Sequence, residues 1–239
     1  MDEYIVNGIV LSAADYKEND ILITLFTAEL GKIKAILKGA KQPKAKLKYA
    51  GQQFCFAEWV LVKRGEFFTV TSVSVTDAFF DITTDYDKFL IASTLLEICG
   101  HILKPAMISE TLFVTLLKAL KYIVYENIDA NLVLSKFMLE TLTISGYGLN
   151  FKACGVCNMP IAGDVILSAS TNEFCCVSCS GGFGKNITKK CYGLLKIIDS
   201  TPFERLSTIK VKTEDIKECV AVLKFDVSNV FSIKLKDIQ

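Results

Sequence analysis

Ile21-Leu-Ile-Thr-Leu-Phe-Thr-Ala-Glu-Leu-Gly-Lys-Ile-Lys-Ala-Ile-Leu37 is the stretch that decides the fold of the N-terminal part of the chain. Two runs rich in β-branched and aromatic residues, 21–27 and 32–37, flank Leu30-Gly31, a pattern typical of antiparallel strands joined by a tight turn. Side chains alternate between the faces of a strand, so the second run should separate its lysines from its apolar residues. The lysines are Lys32 and Lys34, continued by Lys38, and the apolar residues are Ile33, Ala35 and Leu37.

Three further strand-like segments surround this hairpin, at 4–11, 53–62 and 67–76. Arg64-Gly65-Glu66 marks a second hairpin, and residues 39–51 form a long connection. Five short strands with one long connection predict a small closed barrel of the OB type. An SH3-like barrel suits the strand count nearly as well.

The hydrophobic period changes from two to 3.6 residues after Thr83, which predicts helices for much of the remaining chain. Apolar stripes lie at about 89–103, 112–124 and 134–142, with further helices at about 189–198 and from about 213 onward. Thr84 or Asp85 is the expected cap of the first helix. The predicted fold class is multidomain α+β: an OB-fold β-barrel at 1–80, a helical bundle domain at 81–148 and 187–239, and an inserted four-cysteine zinc finger at 149–186.

Five of the nine cysteines lie between residues 154 and 179, and clustered cysteines in a reducing compartment favour a metal site over disulfides. Cys154-Gly-Val-Cys157 and Cys176-Val-Ser-Cys179 have the spacing of a structural zinc site, in which two tight turns supply a tetrahedron of thiolates. Cys175 could replace Cys176, although its spacing to Cys179 makes a looser turn. Four protein ligands leave no position for water, so the predicted cofactor is one structural, non-catalytic zinc ion.

The charge of the chain is concentrated between residues 31 and 64. This segment carries a net +8, whereas the remainder carries −7. Such a basic segment predicts binding to a polyanion, although a solvated lysine-rich loop is the ordinary alternative. Its cations are nearly all lysines, which bind phosphate without reading bases. The predicted contacts are Lys32, Lys34, Lys38, Lys41, Lys44, Lys46, Lys48, Lys63 and Arg64, with Tyr16, Tyr49 and Phe54 either stacking on bases or packing into the barrel.

The sequence also argues against membrane and enzyme classes. Mean hydropathy is +0.38, but no window offers the ~18 uninterrupted apolar residues of a membrane span. The acidic N-terminus is unlike a secretory signal, which predicts a cytoplasmic protein. No nucleotide-binding loop, nucleophile elbow or carboxylate pair is evident, and the single histidine, His101, is expected in the core or an interface.

Two sets of motifs resemble the bacterial recombination mediators of the RecO family. The first comprises Gly8-Ile-Val-Leu-Ser12, Lys17-Glu-Asn-Asp20, the strand from Ile21, and Leu37-Lys-Gly-Ala-Lys41. The second comprises Phe137-Met-Leu-Glu-Thr-Leu, Gly146-Tyr-Gly-Leu and the two cysteine pairs, ending in Cys179-Ser-Gly-Gly. The resemblance covers most of the chain up to about residue 200, and departs from the usual pattern where Lys41-Gln42 replaces an arginine-rich pair.

The resemblance implies a DNA-binding mediator of the RecF pathway that contacts single- and double-stranded DNA, with lysines at Leu37–Lys41 among the contacts. It implies binding to single-strand DNA-binding protein and to RecR, loading of RecA, annealing of complementary strands, and a nucleoid-associated cytoplasmic location. An acidic, hydrophobic peptide tail would dock on the helical domain, where Lys118 and Lys121 are candidates. An RNA-binding OB-fold/zinc-ribbon protein of translation or transcription is the alternative, because backbone binding has the same sequence pattern.

Overall fold

The computed structural model describes residues 2–42, 45 and 47–235. By internal contacts the chain divides into two compact units, one comprising 1–89 and 93–114 and the other 90–92 and 115–239. The division drawn from the sequence (1–80; 81–148 with 187–239; 149–186) stays a prediction.

The first unit contains a closed barrel of five strands: β1 (Glu3–Tyr16), β2 (Asp20–Thr27), β3 (Gly31–Leu37), β4 (Phe56–Arg64) and β5 (Phe67–Asp77). Their order is β1-β2-β3-β5-β4, and β4 pairs with β1 to complete the circle. All neighbours are antiparallel except β3 and β5, which run parallel. The five predicted strands are confirmed, and the closed five-stranded barrel is of the OB type.

The barrel interior follows the alternation predicted for β3. Ile33, Ala35 and Leu37 are buried, while Lys34 on the opposite face is exposed. Trp59, the only tryptophan in the sequence, is fully buried on β4, and its indole Nε1 donates to the Gly8 carbonyl at 2.9 Å. The bond satisfies the one polar group that this large side chain carries into the core.

The turn between β2 and β3 requires glycine. Gly31 has φ of +65°, and a Cβ there would lie 2.1 Å from the Met107 carbonyl oxygen. Thr27 stabilises the turn, since its hydroxyl donates to the Gly31 carbonyl at 2.9 Å and accepts from the Leu30 N–H at 3.0 Å. The sequence signal Leu30-Gly31 therefore reflects both a left-handed conformation and close backbone packing.

In the part of the chain that the structure describes, five α-helices and two 3-10 helices follow the barrel strands. The α-helices are α1 (Tyr86–Ile102), α2 (Glu110–Tyr125), α3 (Ala130–Ile144), α4 (Lys189–Ser200) and α5 (Thr213–Phe231), and the 3-10 helices are Phe80–Thr84 and Phe203–Thr208. Asp85 caps α1 by accepting from the Lys88 N–H, as predicted. Within the described residues, no helix is long and apolar enough to cross a bilayer.

In the second unit α3, α4 and α5 pack against one another. Lys136 on α3 is buried, and its ammonium donates to the Asp199 carbonyl in the last turn of α4 at 2.8 Å while contacting Glu140 at 2.8 Å. A lysine thus satisfies a helix C-terminal carbonyl and ties α3 to α4.

A three-stranded sheet, order β7-β6-β8, lies in the cysteine-rich part of this unit: β6 (Val165–Leu167), β7 (Phe174–Cys176) and β8 (Lys185–Ile187). Phe174 packs with Phe151 and Tyr192, with ring centroids 5.0 and 5.1 Å away. The Tyr192 hydroxyl, on α4, donates to the Phe151 carbonyl at 3.1 Å. These aromatic contacts anchor the short sheet to α4.

Candidate metal centre and nucleic-acid surface

The Sγ atoms of Cys154, Cys157, Cys176 and Cys179 all lie within 4.8 Å of one another. The Cys154–Cys176 and Cys157–Cys176 sulfur separations are 3.7 and 3.8 Å. A tetrahedron with metal–sulfur bonds of about 2.3 Å has edges of about 3.8 Å. The four cysteines therefore fit a single tetrahedral metal ion.

The backbone around the first pair explains how the turn presents its sulfurs. Cys154 Sγ accepts the N–H groups of Val156 and Cys176, each at 3.4 Å. The turn closes through the Asn158 N–H to the Cys154 carbonyl at 2.9 Å. Gly155 packs so closely to β7 that a Cβ there would lie 2.3 Å from Glu173 Oε2. Only glycine fits that position without displacing Glu173.

The second pair is arranged in a similar turn. The Cys179 N–H donates to the Cys176 carbonyl at 2.9 Å, and the Ser180 N–H donates to the same oxygen at 3.2 Å. Cys176 ends β7, and the Gly155 N–H in the first turn donates to the Phe174 carbonyl of the same strand at 2.9 Å, which brings the two turns together. Two residues between the cysteines of a pair are therefore enough to form the turn that presents both sulfurs, because each turn is held by its own backbone hydrogen bonds.

The electrostatics of the cluster favour thiolates at two positions. Burial raises the pKa of Cys154, but backbone hydrogen bonds from Cys157, Cys176 and Val156 outweigh it and lower that pKa to about 6. The pKa of Cys176 is also lowered, by side-chain hydrogen bonds from Cys179 and then Ser178. Thiolate is the form that binds metal, so the local dipoles favour metal binding.

Cys175 does not belong to the cluster. Its side chain is buried, its Sγ is 3.8 Å from the Glu173 carbonyl oxygen, and burial raises its pKa. Neighbouring residues on a strand point to opposite faces, so β7 directs Cys176 to the cluster and Cys175 away from it. The remaining cysteines, Cys55, Cys99, Cys191 and Cys219, are buried.

The basic surface is built mainly on the outer face of β3 and on the β4–β5 hairpin. Lys34 and Lys38 are exposed, as are Lys63 and Arg64 in the hairpin and Lys48 in the long connection. The charged group of each of these five residues is accessible to solvent. Lys44 and Lys46 lie outside the described residues. The role of these residues in DNA contact stays a prediction.

Lys32 is placed differently from its neighbour Lys34. Its ammonium donates to the Gly100 carbonyl, in the last turn of α1, at 2.7 Å. Partial burial and then the charge of Lys34 lower the pKa of Lys32. The Ala106 N–H donates to the Lys32 carbonyl at 2.9 Å, which holds the chain after α1 against β3. Lys32 therefore caps a helix C-terminus, a role that the sequence analysis missed.

Lys41 is also engaged. Its ammonium lies 2.8 Å from Asp15 Oδ2 in an exposed ion pair. The adjoining turn is held by Asp20, which accepts the Gly39 N–H at 2.8 Å. The signature Leu37–Lys41 thus has a rigid backbone, and one of its two lysines is partly neutralised.

The three aromatic candidates differ in exposure. Phe54 is fully buried, so the proposal that it stacks on bases is wrong. Tyr49 is 72% exposed and Tyr16 is partly exposed. Phe67, which sequence analysis did not single out, contacts Tyr16. His101 is exposed, so its expected place in the core is wrong, while its place in an interface stays a prediction.

Of the two lysines expected to receive a peptide tail, Lys118 forms an ion pair with Glu204 and lies 5.7 Å from the Phe203 ring centroid. Tyr122, on the same helix face, also contacts Phe203, with centroids 5.8 Å apart. Lys118 thus helps to hold the second 3-10 helix against α2, and its proposed role in peptide binding must compete with this contact.

Comparisons with known proteins agree over nearly the whole chain. The family described as "Recombination protein O N terminal" matches residues 1–79, and "Recombination protein O C terminal" matches residues 83–236. DNA repair protein RecO of Clostridium novyi (strain NT) is 31% identical over 232 residues, which cover 97% of this chain and 91% of that protein. The protein of the same name from Clostridium perfringens (strain 13 / Type A) is 30% identical over 233 residues, covering 97% and 94%. The chain therefore belongs to the RecO family of DNA repair proteins.

Proposed function

We propose that this protein is a non-catalytic, DNA-binding recombination mediator of the RecF pathway. It binds single- and double-stranded DNA through the barrel, engages single-strand DNA-binding protein and RecR, and promotes RecA loading and strand annealing. The observation that carries the proposal is the set of exposed cations on the OB barrel of a RecO-family chain. An OB barrel is a frequent scaffold for nucleic-acid binding.

The proposed binding is electrostatic. The exposed cations Lys34, Lys38, Lys48, Lys63 and Arg64 come from three neighbouring parts of the barrel, and each phosphate they neutralise releases a condensed counterion. Lysine provides a point charge without the planar fork that reads guanine, so the affinity should depend little on base sequence. A mediator that acts on many DNA sequences requires this property.

We also propose that Cys154, Cys157, Cys176 and Cys179 hold one structural zinc ion. The tetrahedral sulfur separations and the lowered pKa of Cys154 support it. Zinc would supply folding free energy to a segment whose three strands have three residues each. Four cysteine ligands leave no coordination position for a reacting water, which supports a non-catalytic role.

The proposed DNA binding is tested by titrating the full chain with fluorescent single-stranded DNA, duplex DNA and structured RNA across a salt series. We expect binding to both DNA forms, with affinity falling steeply as salt rises. Tighter binding to structured RNA than to either DNA form would favour the translation or transcription alternative. Salt-independent affinity, or no binding at low salt, would contradict the proposal.

A further inference from the structure

Four side chains form a continuous row at one end of the barrel. The Tyr16 and Phe67 rings meet edge to face with centroids 6.2 Å apart. The ammonium of Lys17 lies 5.4 Å from the centroid of Tyr16, and that of Lys34 lies 5.9 Å from the centroid of Phe67. We call Lys17, Tyr16, Phe67 and Lys34 the aromatic ridge. An aromatic pair with a cation at each end can bind nucleotides in two ways, because the rings stack on the base faces and the cations contact the phosphates.

The barrel topology assembles the ridge from three strands. Tyr16 ends β1, Phe67 begins β5, and Lys34 lies in the middle of β3. Because β3 and β5 run parallel with Ala35 opposite Phe68, Phe67 falls beside Lys34.

Successive residues of a strand face opposite sides, so β5 directs Phe67 away from the core while Phe68 packs against it. The rings of Tyr16 and Phe67 are partly exposed, and Lys34 is exposed. The ridge is therefore on the surface, where a ligand can reach it.

The carboxylates and cations around the ridge are nearly equal in number, with one more cation than carboxylate. Two nearby carboxylates are already engaged, Asp15 by Lys41 and Asp20 by the Gly39 N–H. Two other acidic residues, Glu18 and Glu66, flank the ridge in the sequence. The positively charged residues next to these acidic residues are Lys17, Lys34, Lys63 and Arg64.

We propose that Tyr16 and Phe67 form a stacking platform for unpaired bases, which gives the barrel a preference for single-stranded over duplex DNA. The proposal rests on the DNA binding proposed above and specifies the form of DNA preferred. In the free protein the lysine ammonium groups lie against the rings. Phosphates draw these groups away, and bases occupy the ring faces that they leave. A duplex keeps its bases stacked on one another, so only unpaired bases gain this contact.

The test uses the full chain and two fluorescent probes, an oligothymidylate of about 16 nucleotides, the upper end of the range for one OB barrel, and a duplex of equal length. The main variant is Tyr16→Leu with Phe67→Leu, which removes both rings and keeps every charge. Tyr86→Leu is the matched control, because Tyr86 is a 74% exposed aromatic residue of the same compact unit outside the ridge. Trp59 fluorescence checks that the barrel of each variant is folded, and the single variant Tyr16→Leu serves if the double variant is not.

We expect the double variant to lose roughly tenfold or more in affinity for the single strand and less than about twofold for the duplex, with an unchanged salt slope. Phe67→Tyr should keep the wild-type preference, and Tyr86→Leu should bind both probes as wild type does. Equal losses on both probes, or no loss on the single strand, would overturn the stacking platform while leaving DNA binding intact. A wild-type chain that binds neither probe would instead overturn the proposed function itself.

Discussion

Lys32 and Lys34 lie two residues apart on the same face of β3, yet their side chains have different roles. We predict that Lys32→Met destabilises the barrel unit with little effect on DNA binding, whereas Lys34→Met weakens DNA binding with little effect on stability. Lys32 donates to the Gly100 carbonyl at 2.7 Å, while Lys34 is exposed. Methionine keeps most of the aliphatic stem in both variants, so each change removes mainly the ammonium.

The expected size of each effect follows from these contacts. A hydrogen bond from a charged group contributes about 1.5–3 kcal/mol, and a cation at a helix C-terminus contributes about 0.3–1 kcal/mol. The lowered pKa of Lys32 shows that burial and Lys34 oppose its charge, which offsets part of this gain. We therefore expect Lys32→Met to cost about 1–2 kcal/mol. Lys34→Met should change stability by less than about 0.5 kcal/mol, as other exposed substitutions do.

The single tryptophan provides the assay. Trp59 is buried in the barrel, so its fluorescence during urea denaturation reports the unfolding of this unit. With a denaturant slope of about 2 kcal/mol per molar urea, Lys32→Met should lower the midpoint by roughly 0.5–1 M. Lys34→Met should reduce the salt slope of DNA binding by about one. Two variants that both weaken DNA binding and both keep the wild-type midpoint would refute the assignment of Lys32 to the helix.

Three other changes have defined outcomes. Cys176→Ser should abolish zinc binding, measured by metal content after dialysis, and Cys175→Ser should retain it; loss of metal in both variants would contradict the ligand set. Asp15→Asn should release Lys41 and strengthen DNA binding several-fold at low salt, and unchanged affinity would show that the exposed pair does not compete with phosphate. Asp226 is buried on α5, burial raises its pKa to about 7, and within the described residues its Oδ2 has no hydrogen-bond partner. Because the unfolded state ionises first, wild-type stability falls as pH rises from about 4 to about 7 and then levels off. The advantage of Asp226→Asn over wild type in urea denaturation should therefore grow by on the order of 2–3 kcal/mol between about pH 5 and 8, and a pH-independent difference would refute the burial of a neutral carboxyl.

The predictions from sequence succeeded where the signal is local. Alternation within 32–37 gives the inner and outer faces of β3, and the capping role of Asp85 follows from its position before an apolar stripe. The two-residue spacing of the cysteine pairs points to a four-sulfur cluster because each turn is held by bonds between near neighbours. The alternation, the cap and each cysteine turn are determined by residues within one or two turns of chain, whereas the meeting of the two cysteine pairs depends on contacts such as that of the Cys176 N–H with Cys154 Sγ.

The features that sequence analysis missed depend on long-range pairing. Strand β8 has three residues without a hydrophobic pattern, and it forms because β6 offers it an edge. Phe67 reaches Tyr16 only through the parallel pairing of β3 with β5. Phe54 is an aromatic residue that could stack on bases, but it is fully buried and its ring packs against Phe89 of α1, with centroids 5.8 Å apart. The neighbours of a residue in the sequence do not determine which distant element packs over it in the fold.

Counting charges from the sequence consequently overstates the number of phosphates that the barrel can neutralise. Nine cations at about 0.9 each would give a salt slope near −8 for duplex DNA. The structure assigns Lys32 to a helix terminus and pairs Lys41 with Asp15, which leaves five described cations exposed. Even with Lys44 and Lys46 added, the slope from this segment should fall between about −4 and −6, and Lys17 of the aromatic ridge adds at most about one more. A measured slope near −8 would mean that Lys32 and Lys41 leave their protein partners for phosphate, and that the contact with Gly100 is weaker than its geometry implies.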